Sequence, residues 1–299
     1  MRLAQFRTVG DFHMAFQRSL ALVTGAAGGM AMACARRIGA SHDLLLTDLV
    51  AERLEAQAQA LREEGYIVAE AVAGDLSDPA LLGRLVEAAQ RRGGFDRLVH
   101  TAGLSPALAP WRPILSVNIV ATARLLQAID PLAGQGMVAV LIASIAGHAA
   151  PADPEADAIL DDALADDLNG RLGPVLERLA GSGGDYEMAS LAYALSKRAV
   201  MRLCQGYAPA WAAKGARIVS VSPGIIWTPM GRTEVDTNPA AAAVADATPM
   251  QRWGTAMDIA NAVAFLSSDE ASFITGTDLR VDGGVMPAQR RGNLPLAGM

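Results

Sequence analysis

At 299 residues the chain is about twice a common domain length, a size that α/β folds use for a single unit. Hydrophobic residues make up 52% and charged residues 19%, which excludes wholesale disorder and fibrous classes; the net charge of −6 excludes a broad electrostatic grip on nucleic acid or on an anionic membrane. Small molecules and other proteins remain as partners, and Cys34 and Cys204, outside any metal-ligand or CxxC spacing, predict neither a disulfide framework nor a metal site and suit a reducing cytoplasm.

Residues 1–17 read as an N-terminal extension, with Met14 as an alternative start. Arg2, Arg7 and Arg18 before the apolar run 19–35 imitate an export signal, but that run contains Thr24-Gly25-Ala26-Ala27-Gly28-Gly29 and is too rich in glycine for one. Short apolar runs at 20–23, 44–47, 66–71, 97–101, 137–143, 216–221 and 278–281 predict strands. Between the second and third, 51–64 sets Leu54, Ala58 and Leu61 on one helical face and stops at Gly65. The next helix starts with Ser77 as cap and Pro79 in its first turn, and buries Leu81, Leu82, Leu85 and Ala89. The uncharged stretch 131–152 is interrupted by Gly134, Gln135, Gly136, Ser144 and His148, so it predicts a buried parallel strand rather than a membrane-spanning helix. Strands alternating with helices imply right-handed crossovers, hence an α/β doubly wound parallel sheet of Rossmann type in one domain, residues 18–285, followed by a tail, 286–299.

Residues 151–187 break the alternation. They hold ten acids against Arg171 and Arg178, a net −8 that leaves +2 for the rest of the chain. Ile159, Leu160, Ala163, Leu164 and Leu168, then Leu172, Val175, Leu176 and Leu179, recur at helical spacing and predict two amphipathic helices. The segment reads either as a solvated acidic excursion or as a lid over a site.

The glycine-rich turn after the first strand opens a helix, so Gly25, Gly28, Gly29 and Met30 are candidates to bring backbone amides to a pyrophosphate at the helix N-terminus. Asp48 ends the second strand, where a carboxylate can accept from adenosine ribose hydroxyls and repel a 2′-phosphate. No Arg or Lys lies in the turn or directly after Asp48, which favours NAD(H) over NADP(H). Asp48 is alternatively a helix cap.

Tyr193-Ala194-Leu195-Ser196-Lys197 sets a phenol and an ammonium four residues apart, on one face of a helix. The neighbouring cation and an oxidised nicotinamide would both favour the phenolate of a group that ordinarily titrates near 10. With two lysines against 23 arginines in the chain, a lysine at 197 points to a need for a compact ammonium. Ser144 follows the fifth strand, at the carboxyl edge where doubly wound sheets bind ligands. His148 reads as a packed or solvated histidine, and His13, His42 and His100 show no ligand spacing.

From about Ser19 to Gly284 these residues resemble the short-chain dehydrogenase/reductase family. The turn is similar to that family's TGxxxGxG with Ala31 for the last glycine, and also fits the GxxGxxA of its sugar-nucleotide branch. Pro223-Gly224-Ile225-Ile226-Trp227-Thr228 resembles PGxxxT, and Val281-Asp282-Gly283-Gly284 resembles the terminal VDGG of the short branch. Asp75-Leu76 resembles the adenine-contacting pair, and Thr101-Ala102-Gly103 resembles NAG with Thr for Asn. The resemblance implies that Asp75, Leu76, Ala102, Gly103, Pro223, Gly224, Ile226 and Thr228 bind the cofactor, together with Tyr193 and Lys197. It further implies that Ser144 bonds the substrate oxygen, Tyr193 exchanges its proton, Lys197 lowers the tyrosine pKa and binds ribose, and Asn118 holds a water leading outward from Lys197. The implied activity is NAD-dependent hydride transfer with a secondary alcohol or ketone, by a dimer or tetramer without metal. The insertion resembles that of 3α-hydroxysteroid dehydrogenase/carbonyl reductase. A 3-oxoacyl-thioester reductase and a non-catalytic dinucleotide sensor are the rival readings.

Overall fold

The computed structural model describes residues 19–290; the predicted extension 1–17 lies outside the described residues. All seven predicted strands form: β1 Leu20–Thr24, β2 Asp43–Asp48, β3 Val68–Ala73, β4 Arg97–His100, β5 Val138–Ile142, β6 Arg217–Pro223 and, after a short parallel pair of β7 Ile226–Trp227 with β8 Gly254–Thr255, β9 Asp278–Val281. They make one parallel sheet in the order β3-β2-β1-β4-β5-β6-β9. The order reverses between β1 and β4, so the crevice lies beyond the carboxyl ends of these two strands.

Helices α1 Gly29–Gly39, α2 Ala51–Glu63 and α3 Pro79–Gln90 alternate with the first strands. α4 Trp111–Leu115 then runs through a π-helical turn, Ser116–Ala121, into α5 Thr122–Ile129. After β5 come α6 Ile145–Ala149, α7 Pro154–Asp161, α8 Leu168–Ala180 and the long α9 Asp185–Ala213. α10 Pro229–Thr237, α11 Pro239–Asp246, α12 Ala256–Ser267 and α13 Val285–Arg290 complete the chain. Leu81, Leu85, Leu125, Leu126, Cys204 and Trp211 fill one face of the sheet, and Cys34, Ile38, Leu54, Leu61, Ile259 and Val263 fill the other. A sheet buried on both faces explains why β1 and β5 are apolar throughout instead of alternating. Both cysteines are free and buried, and burial pushes the Cys34 thiol up to about 12, so each packs as a small hydrophobe. Among the described residues no helix is long and apolar enough to cross a membrane, and no acid, histidine and cysteine cluster is arranged to hold a metal.

Three expectations are corrected. Asp78, not Ser77, caps α3, accepting the Ala80 N–H at 2.9 Å, while the Ser77 N–H is held one position earlier by the Asp75 carboxylate at 2.8 Å. The tail does not begin at 286, since α13 crosses that boundary and buries Met286 beside Ile145, Val244 and Val285. In the insertion, the first apolar stripe is not one helix. α7 stops at Asp161, Leu164 is exposed, and Leu168 opens α8, because Asp167 takes a left-handed backbone conformation and caps α8 by accepting the Gly170 N–H at 3.0 Å.

Both insertion helices lie on the outer side of α9. Ile159, Leu160, Leu168, Leu172, Val175 and Leu176 share a core with Ile114, Leu115, Ala192, Leu195 and Ala199. Their acids are matched by cations. Asp153 and Glu155 pair with Arg178, while Asp157 pairs with Arg198 and Asp161 with Arg202, both from α9. The negative surplus is thus partly bound to the tyrosine-bearing helix, which corrects the expectation of a purely solvated excursion.

Candidate active site

The turn after β1 is shaped by close approach. Gly25 has φ +64°, and a Cβ there would meet the Ala102 backbone nitrogen at 2.8 Å, so a side chain would be both strained and blocked. Gly28 caps α1 with no side-chain hydrogen bond, so the amides of the first turn are offered to an anion. The loop after β6 reaches back to this turn. Thr228 caps α10, accepting the Gly231 N–H at 3.1 Å, and its methyl group lies 3.4 Å from where a Gly29 Cβ would be. These features make a cradle that fits a dinucleotide pyrophosphate, with Gly25, Gly28, Gly29 and Thr228 around it.

The other candidate cofactor residues divide. The Asp48 carboxylate accepts Ala27 N–H at 3.0 Å and Val50 N–H at 3.2 Å, so it does not cap α2 with its side chain but ties the second strand to the phosphate turn. A carboxylate has lone pairs beyond these two bonds, so a ribose hydroxyl can still find an acceptor there. Asp75 is exposed, while Leu76 is buried in the core and Met30 packs partly against the α1 side of the sheet. Thr101 does keep a bridging role despite replacing Asn, because its hydroxyl donates to the Thr24 carbonyl at 2.8 Å. Ala102 and Gly103 follow, half-buried. Pro223 ends β6, and Gly224 is required, since a Cβ would lie 2.9 Å from the Asp282 Cα. Ile226 buries its side chain in the core, so its main chain alone can face a cofactor.

Ser144, Tyr193, Lys197 and Asn118 come together from three elements. Ser144 caps α6, accepting the Ala146 N–H at 3.2 Å. α6 rests on the backbone of α9 at Gly147, where a Cβ would be 2.7 Å from the Arg198 nitrogen. That contact sets the Ser144 hydroxyl beside the Tyr193 phenol, where it opposes the rise in the tyrosine pKa. One turn further along α9, Lys197 is 6% exposed, donates to the Ile142 carbonyl at 3.0 Å and has its Nζ 5.7 Å from the Tyr193 ring centre. A Cβ on Gly103 would sit 3.2 Å from Asn118 Oδ1 and 3.4 Å from Lys197 Nζ, so both polar groups converge on that glycine. Asn118 lies in the π-helical turn. Its Oδ1 accepts the Leu104 N–H at 2.8 Å, and its Nδ2 donates to the Leu104 carbonyl at 2.9 Å and to Ser196 Oγ at 3.0 Å.

The electrostatics differ from the expectation in one respect. Burial holds the Tyr193 phenol above its ordinary value, the Glu234 carboxylate adds to the rise, and only the Ser144 hydrogen bond opposes it. Burial pulls Lys197 itself down to about 8, against the opposing pull of Glu234. Glu234, from α10, is itself raised by burial. Sequence reasoning missed it, since no local spacing marks a residue whose charge acts on the pair from a separate helix. Ser196 was missed although it sits inside the motif: its hydroxyl donates to the Tyr193 carbonyl at 2.7 Å. His148 is a packed residue, its Nε2 2.7 Å from Asp278, whose other oxygen accepts from Ser220 and Ser222.

Known proteins resemble this chain along most of its length. Residues 19–153 match the short chain dehydrogenase family, and residues 180–286 match a family described as enoyl-(acyl carrier protein) reductase. The short-chain dehydrogenase/reductase bsc3 of Alternaria brassicicola is 33% identical over 89% of this chain and 95% of that one. The 3beta-hydroxysteroid dehydrogenase 1 of Eggerthella lenta is 29% identical over 88% of this chain and 93% of its own length. A short chain dehydrogenase from Burkholderia cenocepacia, solved in complex with NADP, superposes with a TM-score of 0.69 at 26% identity, covering 90% of this chain and 98% of that one. The chain belongs to the short-chain dehydrogenase/reductase family, oxidoreductases that act on alcohols and ketones with a nicotinamide dinucleotide.

Proposed function

We propose that the protein is an NAD(H)-dependent oxidoreductase of secondary alcohols and ketones with a bulky apolar body, hydroxysteroids among them. The observation that carries this reading is the convergence of Tyr193, with the Ser144 hydroxyl acting on its phenol, and the buried Lys197 one turn away, its Nζ 5.7 Å from the tyrosine ring and beside Asn118 at Gly103. Gly25, Gly28, Gly29, Asp48, Ala102, Gly103 and Thr228 hold the dinucleotide, which when bound supplies or accepts the hydride. Ser144 orients the substrate oxygen, Tyr193 gives or takes the proton on it, and Lys197 presents its cation to the phenol. Asn118 holds the lysine side of the site in register.

NAD rather than NADP rests on the Asp48 charge at the end of β2, although the Burkholderia neighbour carries NADP. The apolar preference rests on Leu104, Leu179, Met188 and Leu191, partly buried residues that pack with Tyr193 against the insertion's core, and on the hydroxysteroid dehydrogenase among the relatives. Reduction of a 3-oxoacyl thioester is the second reading, favoured by the 3-oxoacyl-[acyl-carrier-protein] reductase of Escherichia coli among the relatives. A homo-oligomer, dimer or tetramer, in the cytoplasm completes the proposal. Because α7 and α8 cover one side of α9, subunits would meet on another surface.

A panel of steroid alcohols, small polyols and 3-oxoacyl thioesters, followed by nicotinamide absorbance with each cofactor, separates the two readings. In that assay Tyr193→Phe should lower kcat by about 10²–10⁴ while NADH affinity is kept. Near wild-type turnover in the variant would remove the mechanism.

A further inference from the structure

His100, dismissed by sequence spacing, is 2% exposed at the end of β4 and hydrogen-bonded at both ring nitrogens. Nδ1 is 2.8 Å from Thr24 Oγ1, and Nε2 is 2.8 Å from Thr122 Oγ1. Thr122 spends its one hydroxyl hydrogen on the Asn118 carbonyl, at 2.9 Å. It must therefore accept from His100, which puts the proton on Nε2. Burial, with the Lys197 cation adding to it, holds the imidazole down at about 3, so the ring is neutral and Nδ1 accepts from the Thr24 hydroxyl. Every donor in the chain points the same way: Thr24 to His100, His100 to Thr122, Thr122 to Asn118.

The ends of this chain are functional positions. Thr24 is the residue before Gly25, and its carbonyl also accepts from Thr101 at 2.8 Å. Asn118 continues through Ser196 to the main-chain carbonyl of Tyr193. The π-helical turn at Ser116–Ala121 has a widened backbone repeat, so its geometry leans on outside hydrogen bonds more than an ordinary turn would.

We propose that His100, fixed as the neutral Nε2–H tautomer, is a positioning residue that couples the phosphate turn to the Asn118 turn through Thr24 and Thr122. The inference rests on the oxidoreductase reading for the meaning of its two ends, but its hydrogen-bond pattern can be measured independently. Bridged in this way, the loop that receives the dinucleotide and the turn beside Lys197 cannot shift separately.

The first test is the ¹⁵N spectrum of the His100 ring in the full chain without added ligand. Nε2 should be protonated and Nδ1 unprotonated from about pH 5 to 9; a protonated Nδ1, or titration near the ordinary histidine value, overturns the chain. The second uses Thr122, where valine keeps the volume and serine keeps the hydroxyl. Thr122→Val should lower kcat about tenfold with little change in cofactor KM, while Thr122→Ser stays close to wild type. Valine tolerated and serine impaired would assign Thr122 to packing and refute the coupling. Thr24→Val should instead raise the KM and Kd for the dinucleotide about tenfold, and His100→Phe should show both defects at once. Additive losses in the Thr24→Val/Thr122→Val double variant would overturn the coupling. Normal turnover by Tyr193→Phe with the predicted ring spectrum would remove the oxidoreductase reading and leave the hydrogen-bond chain in place.

Discussion

Gly147→Ala isolates the contact that holds Ser144 beside Tyr193. The added methyl carbon would lie 2.7 Å from the Arg198 nitrogen, 2.8 Å from the Lys197 carbonyl carbon and 2.8 Å from the Met201 methyl. The methionine end can swing away, but the two α9 backbone atoms cannot. Ordinary contact begins near 3.4 Å, so α6 must lift from α9 by about 0.7 Å, carrying Ser144 at its cap. Overpacking of this kind costs about 1–3 kcal/mol of stability. Its larger effect is on geometry, where a misplacement of about 1 Å can cost 10²-fold, so kcat should fall by about one to two orders of magnitude. The phosphate turn is on other strands, and the Kd for NADH, followed by fluorescence titration, should be unchanged. Since the loss acts through Ser144, adding Gly147→Ala to Ser144→Ala should cost little more. A kcat within about twofold of wild type, with the fold intact by thermal melt, would refute the reasoning, as would full additivity with Ser144→Ala.

Lys197→Arg should lower kcat by at least about 10²-fold despite equal charge, because the ammonium is enclosed by the Ile142 carbonyl, Gly103 and Asn118; steady-state kinetics checks this, and full activity would mean that charge alone suffices. Asp48→Asn keeps an acceptor for the Ala27 N–H, gives up the one for the Val50 N–H, and removes the charge. Like charges about 4 Å apart repel by roughly 1 kcal/mol in water and roughly 4 kcal/mol at an effective dielectric of 20, so the NADPH-to-NADH ratio of kcat/KM should rise at least about fivefold. A ratio unaffected by the change would detach Asp48 from cofactor choice. Glu234→Gln removes an anion that raises both Tyr193 and Lys197. The phenolate becomes easier to form, so the rising limb of kcat against pH for alcohol oxidation should move to lower pH, and the falling limb set by lysine deprotonation should move with it. A shift of the rising limb to higher pH would contradict the assignment of Glu234 to the site.

The sheet was legible because its strands are buried on both faces, which makes each a short apolar run between turn residues, and the crossover rule then leaves little choice of topology. The predicted third strand, 66–71, was out of step by two residues: pairing starts at Val68 and ends with Ala73 opposite Asp48. Tyr66 lies before the strand, partly buried against the α1 side of the core. The Tyr193, Lys197 and Ser144 set was visible because helical spacing and a strand end are local signals. Glu234 and His100 were not, because each acts through partners distant in sequence. The direction of the Tyr193 shift was also hidden, since the proximity of a lysine is local while the burial that outweighs it is a property of the whole fold.

The insertion shows how a sequence pattern can reveal an apolar stripe without revealing the surface that the stripe covers. Its apolar stripes required something to cover, and the segment leaves the sheet after Ser144 and returns before Tyr193, which suggested a lid over substrate. The structure puts Leu168, Leu172, Val175 and Leu176 against α9 and the α4 turn, with none of the four more than 3% exposed, so those faces are already occupied within the protein. Arg198 locks the entry of the segment by donating to the Ala150 and Pro151 carbonyls, and it follows Lys197 directly in the chain. Opening the insertion would therefore expose the stripes and release Arg198 and Arg202 from their carboxylates together. A lid that moves in each turnover must open at a cost its substrate can offset, and a segment with this much buried apolar surface is drawn from the stable end of the fold. The insertion is better understood as a fixed wall that braces the tyrosine helix from outside, with Leu179 at its partly exposed edge.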